Sequence, residues 1–146
     1  MTGESEQRAL VERIVQSETF RRSPRLRALL QFIAAKTLDE APADLTEYNI
    51  GLAVFERPAS FSPLEDSIVR SSARQLRIKL AEYFAGEGSA EALVLEIPKG
   101  SYAAEFRSRA PLAEAAAPAG RRWWMAGIGL ALVAAAVGAV AFVGSR

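Results

Sequence analysis

The sequence predicts a mainly α-helical domain with a small β-hairpin, followed by one transmembrane helix. Apolar residues recur at helical spacing before residue 85, and two short alternating segments flank a turn at residues 98–101. A third observation is that residues 123–143 carry no charge. These features divide the chain into a domain at 1–106, a flexible linker at 107–122 and a membrane span at 123–143.

The longest amphipathic segment of the domain is residues 62–84, SPLEDSIVRSSARQLRIKLAEYF. Ser62 is a suitable N-cap, Pro63 fits the first helical turn, and Glu65 completes a capping box, so we expect the helix to begin there. Apolar residues then follow at spacings of three and four, which predicts a buried stripe made of Val69, Ala73, Leu76, Leu80 and Tyr83.

The other side of this segment carries Arg70, Arg74 and Arg77 at helical spacing, and Ser67, Ser71, Gln75 and Ile78 flank them. Two interpretations of these arginines remain open. They are a solvated helix face, or they meet phosphates and base edges in a DNA groove.

Composition limits the chemistry that the chain can perform. It contains no cysteine and no histidine, which argues against disulfides, thiolate catalysis and the usual zinc sites. No nucleophile and base with a familiar spacing and no glycine-rich phosphate loop occur either, so we expect no enzyme, metal or cofactor. Residues 1–106 hold 13 Lys and Arg against 16 Asp and Glu, a net charge of −3, so any DNA contact must come from local clustering.

Three further helices are predicted before residue 62. Residues 5–17 form an amphipathic helix, and a break with a buried Phe20 follows. Ser23 and Pro24 then start a longer core helix that ends near residue 38. A turn and a very short strand at 45–46 precede a short helix that ends near residue 54, in which Gly51 indicates close packing or a tolerated imperfection.

The hairpin is predicted from two alternating segments at 93–97 and 102–106. Pro98-Lys99-Gly100-Ser101 between them has the composition of a turn. Lys99 is therefore expected at the tip.

Residues 29–106 resemble the winged helix-turn-helix domain of OmpR/PhoB-type response regulators and of ToxR/CadC-like regulators. The similarity lies in the order of the helices, the segment IVRSSARQLRIKL and the hairpin motif IPKGSY. The motif EYNIGLAVFERPASFSP is also similar to N-terminal modules of some bacterial tetratricopeptide proteins. Unlike the OmpR-type domain, this chain begins with an extra amphipathic helix in place of a small sheet, and its hairpin turn carries a single lysine.

The resemblance implies that the chain binds double-stranded DNA as a transcriptional regulator. It places the DNA contacts at Arg70, Ser71, Arg74, Gln75, Arg77 and Lys99. Each residue also has a structural alternative: Arg77 pairs with Asp66 or Glu82, Gln75 is only solvated, and Lys99 only fills a turn. The rival function is a membrane-tethered protein interaction or signalling adaptor that keeps the fold without binding DNA.

The span at 123–143 is about 31 Å long as a helix, enough to cross a lipid bilayer. Arg121 and Arg122 before it predict that the domain faces the cytoplasm, in a single-pass protein of the inner membrane. A ridge of small residues predicts a homodimer through Gly127, Ala131, Ala135 and Ala139. Since only residues 144–146 follow the span, we expect a signal to arrive through the lipid or a membrane or cytoplasmic partner.

Overall fold

The computed structural model describes residues 2–109, which form a mainly helical domain with a two-stranded antiparallel sheet. The helices are α1 (Thr2–Gln16), α2 (Glu18–Arg21), α3 (Pro24–Leu38), α4 (Glu47–Phe55) and α5 (Ile68–Ala85). The strands are β1 (Leu93–Glu96) and β2 (Glu105–Ser108). The predicted order of long helices and hairpin is confirmed, and α2 is a short helix where a break was expected.

The core joins the apolar faces of α1, α3 and α5 to Phe20 from α2 and Leu95 from β1. Phe20 is fully buried, as predicted. Ser17 places this short helix by accepting a hydrogen bond from the Phe20 N–H at 3.3 Å. The buried stripe predicted for the long helix is confirmed, with Val69, Ala73, Leu76, Leu80 and Tyr83 all inside.

The predicted short helix is confirmed as α4, whose N-cap Thr46 accepts a hydrogen bond from the Asn49 N–H at 3.1 Å. The strand predicted at 45–46 is wrong, because these two residues only connect a turn of 3-10 helix at Pro42–Asp44 to α4, and Thr46 is already the N-cap of that helix. Gly51 is explained by close packing. A Cβ atom at this position would lie 2.8 Å from Cδ1 of Phe61, closer than carbon atoms approach without displacement.

The long helix begins at Ile68, so the predicted start at Ser62 is wrong. The Ser62 carbonyl accepts hydrogen bonds from the Glu65 and Asp66 N–H groups, which forms one isolated turn. Asp66 then ends this turn by accepting a hydrogen bond from the Ile68 N–H at 2.9 Å. The side chain of Asp66 thus satisfies the start of α5, and the serine-proline pair belongs to the preceding turn.

The hairpin is confirmed, although its second strand begins later than expected and runs past the predicted end of the domain at residue 106. Leu93 pairs with Ser108, and Glu96 pairs with Glu105. The connection between the strands is longer than its turn at 98–101, and other backbone groups in it bond to helices. For example, the Ala104 N–H donates to Oγ1 of Thr37 at 3.0 Å.

The fold class that included a transmembrane helix needs correction. Within residues 2–109, no helix is both long enough and apolar enough to cross a bilayer. The longest of these helices, α5, carries four cationic residues, Arg70, Arg74, Arg77 and Lys79. The fold that the structure supports is therefore mainly helical with a small antiparallel sheet.

The membrane span predicted at 123–143 lies outside the residues that the structure describes. The dimer ridge from Gly127 to Ala139 and the predicted orientation toward the cytoplasm depend on that segment, and so do the lipid contact and the inner-membrane location.

Candidate nucleic-acid interface

The side of α5 that points away from the core carries Ser71, Arg74, Gln75 and Ile78, which we call the outward face, and the exposed Glu82 follows them one turn later. Ile78 follows the buried Val69 by nine positions, and at about 100° per residue the two side chains lie on opposite sides of the helix. All four residues of the outward face are exposed. The helix therefore presents two polar, one cationic and one apolar side chain in a compact group.

Arg74 and Gln75 are the unoccupied hydrogen-bonding groups of this face. Neither side chain makes a hydrogen bond or an ion pair with any residue between 2 and 109. Ser71 differs, because its hydroxyl donates to the Ile68 carbonyl at 3.1 Å. A guanidinium group and a carboxamide thus remain available to an external partner.

Arg70 lies about a quarter turn from the centre of the outward face and contacts the preceding elements. Its Nη1 donates to Oε2 of Glu47 at 2.8 Å and to the Pro63 carbonyl at 2.7 Å. These contacts hold the start of α5 against α4 and the turn before it. The side chain remains 46% exposed, so its other nitrogen atoms can still reach a ligand.

Arg77 lies on the same side of the helix as Arg70 and holds the hairpin. Its Nε donates to the Ile97 carbonyl at 2.8 Å, and its Nη2 donates to the carbonyls of Pro98 and Ser101, each at 3.1 Å. The alternative that Arg77 pairs with Asp66 or Glu82 is wrong. Those carboxylates lie instead beside Arg57 and Lys79.

Glu47 connects three elements of the candidate interface, a role that no sequence pattern indicated. One carboxylate oxygen accepts from Arg70 of α5, and the other accepts from the Tyr102 hydroxyl in the hairpin at 2.9 Å. Burial of the phenol, together with this hydrogen bond to a carboxylate, raises the pKa of Tyr102 to about 12. The tyrosine therefore stays protonated and acts as a donor at neutral pH.

Lys99 is at the tip of the hairpin connection, as predicted. The Ser101 N–H donates to the Pro98 carbonyl at 3.2 Å, which closes the turn. Gly100 takes φ of +82° inside it, a conformation that glycine adopts without strain. Lys99 is exposed and has no ion pair with residues 2–109.

Most other cations of the domain are already neutralised. Eight Lys and Arg residues form ion pairs with carboxylates: Arg8, Arg13, Arg21, Lys36, Arg57, Arg70, Lys79 and Arg107. Exposed cations without an ion pair to residues 2–109 are Arg22 and Arg25 on the α2–α3 side, and Arg74 and Lys99. Arg74 and Lys99 are therefore distinctive among the cations of α5 and the hairpin.

A groove of about 380 Å³ separates the second half of α5 from the hairpin. Its apolar lining includes Leu80, Phe84, Val94 and Ile97. Within residues 2–109, no group of three or more acidic side chains has the geometry of a metal site.

Comparison with protein-family models finds no matching family, and searches of curated proteins and of solved structures return no significant match. The similarity to winged helix-turn-helix regulators therefore stays a prediction from the motifs.

Proposed function

We propose that this chain binds double-stranded DNA through the outward face of α5 and the hairpin tip, as a winged-helix transcriptional regulator. The observation that carries the proposal is the exposed pair Arg74 and Gln75 opposite the buried stripe, neither of which has a side-chain partner within the described part of the chain. An arginine suits guanine or phosphate, and a glutamine suits adenine, in a major groove wide enough for a helix. Lys99 provides a second cation on a separate element, suited to a backbone phosphate.

The two other arginines of α5 support this arrangement by fixing the position of the helix relative to the hairpin. Arg70 holds the start of α5, and Arg77 holds the hairpin connection to the middle of the same helix. A helix and a hairpin tip that keep a constant spacing lose little conformational entropy when they bind a rigid duplex.

The test measures binding of the full chain to a random pool of duplex DNA by mobility shift and fluorescence anisotropy over a series of salt concentrations. We expect affinity to fall steeply with salt, because each neutralised phosphate contributes about 0.9 to the log–log slope. Arg74→Ala should weaken binding by about 1–3 kcal/mol if it contacts a base, and Lys99→Ala should lower the slope by about one.

Arg25→Ala is the matched control, since Arg25 is exposed on α3 and forms no ion pair with residues 2–109. It removes the same charge from another surface and should leave affinity nearly unchanged. Equal losses in Arg25→Ala and Arg74→Ala would contradict a specific interface on α5. The absence of any shift at low salt would exclude DNA binding.

The second candidate is a protein interaction module that does not bind DNA. The net charge of −3 and the apolar groove between α5 and the hairpin favour it. A chain that binds no duplex at low salt, but is retained by a protein partner and released by Phe84→Asp in the groove, would support this alternative.

A further inference from the structure

Ile78 is the residue of the outward face that phosphate binding does not explain. It is 59% exposed at the centre of this face and is the large apolar side chain that α5 leaves in solvent. Isoleucine is not a strong helix former, so helix propensity does not account for it at an exposed position. Its place on the same face as Arg74 and Gln75 suits contact with an apolar group of a binding partner.

The major groove of DNA offers one such group, the C5-methyl of thymine. Gln75 lies three residues before Ile78, so the two side chains are neighbours on the helix surface. A carboxamide can bond to N6 and N7 of adenine in a bidentate manner. An apolar group beside a carboxamide thus matches the two features that A·T pairs display on the same groove edge.

Resting on the proposed DNA binding, we infer that the outward face recognises A·T pairs, with Ile78 against thymine methyl groups and Gln75 on adenine. Arg74 lies on the same face, one helical turn before Ile78, and suits a guanine or a phosphate next to these pairs. The ligand class of the site is duplex DNA with thymine methyl groups exposed in the major groove at the contact position.

The experiment removes the methyl groups from the DNA and the apolar atoms from the protein separately. A duplex is first selected from a random pool with the full wild-type chain, and a second version is made with deoxyuridine in place of thymidine. The wild-type chain should bind the uracil duplex roughly fourfold more weakly per contacted methyl, the factor for burying one carbon group. Ile78→Ala should bind the thymine duplex correspondingly more weakly and should bind both duplexes equally.

Two variants serve as controls. Ile78→Val keeps branched apolar atoms and should retain the preference for thymine. Leu64→Ala removes the other strongly exposed aliphatic side chain, which is 92% exposed in the turn before α5 and not on the outward face. It should also retain the preference. Circular dichroism should show all three variants folded, since neither position belongs to the core.

The outcomes distinguish recognition of thymine methyl groups from the proposed DNA binding on which it rests. Wild-type binding with no difference between the two duplexes, or an undiminished difference in Ile78→Ala, overturns methyl recognition and leaves DNA binding intact. The inference is also overturned if Ile78→Ala lowers the sedimentation mass of the free chain without changing the methyl preference, because Ile78 then serves a protein interface. Failure to bind any duplex removes both.

Discussion

Arg77 should matter for the stability of the domain far more than Arg74, although both are arginines of the same helix. Arg77 is partly buried and makes three hydrogen bonds to hairpin carbonyls, whereas Arg74 makes none with residues 2–109. Hydrogen bonds from a charged donor contribute about 1.5–3 kcal/mol each, but such contributions are not additive within one group. We therefore expect Arg77→Ala to lower the free energy of unfolding by about 2–4 kcal/mol.

The assay is urea denaturation of the full chain followed by circular dichroism, with hydrogen exchange of the amides in residues 97–104. Arg74→Ala is the matched control and should stay within about 0.5 kcal/mol of the wild type. In Arg77→Ala, exchange should accelerate in the hairpin connection before it does in α1 or α3. Equal stabilities for the two variants, with unchanged exchange in the hairpin, would refute the assignment of Arg77 as the residue that holds it.

Two further predictions test packing and pH dependence. Gly51→Ala should lower the free energy of unfolding by about 1–3 kcal/mol, because the added methyl group collides with the ring of Phe61; thermal denaturation measures it. Glu91 accepts two hydrogen bonds from Arg13, which lower the pKa of its carboxyl group. The contact between Arg13 and Glu91 therefore stabilises the folded state above the unfolded pKa of about 4.3, and this contribution is lost as the pH falls through the lower folded pKa. In Glu91→Gln the free energy of unfolding should consequently depend less on pH in the acid range.

Each of these variants has a control in the chain. A Cβ atom at Gly3 meets nothing within 4 Å, so Gly3→Ala should be neutral or slightly stabilising. Glu12 is exposed on α1 with no hydrogen bond or ion pair to residues 2–109, so Glu12→Gln should leave the acid transition as it is. A destabilised Gly3→Ala, or identical acid profiles for the two glutamate variants, would contradict the reasoning.

Periodicity predicted the helices well because each buries one continuous stripe, and the stripe of α5 was correct at every position. The start of α5 was wrong for a local reason. The residues Ser62, Pro63 and Glu65 have the pattern of a helix start, but α5 begins later, where the Asp66 side chain accepts a hydrogen bond from the Ile68 N–H. Short-range rules alone do not rank two such competing starts.

The candidate interface was predicted only in part. Arg74, Gln75, Ser71 and Lys99 are exposed as expected, because exposure on a helix or turn follows from spacing. The partners of the other arginines did not follow from spacing, since Arg77 bonds to carbonyls more than 19 residues away. Backbone carbonyls carry no residue identity, so no sequence pattern marks them as acceptors.

The position of Glu47 between α5 and the hairpin bears on how the domain responds to force or to a ligand. Its carboxylate is shared between Arg70 and Tyr102, so neither the start of α5 nor the hairpin can shift without changing the hydrogen bonding of the other. Glu47 is thus a second link between α5 and the hairpin, in addition to the direct hydrogen bonds of Arg77. It joins positions that are 23 and 55 residues away from it along the chain.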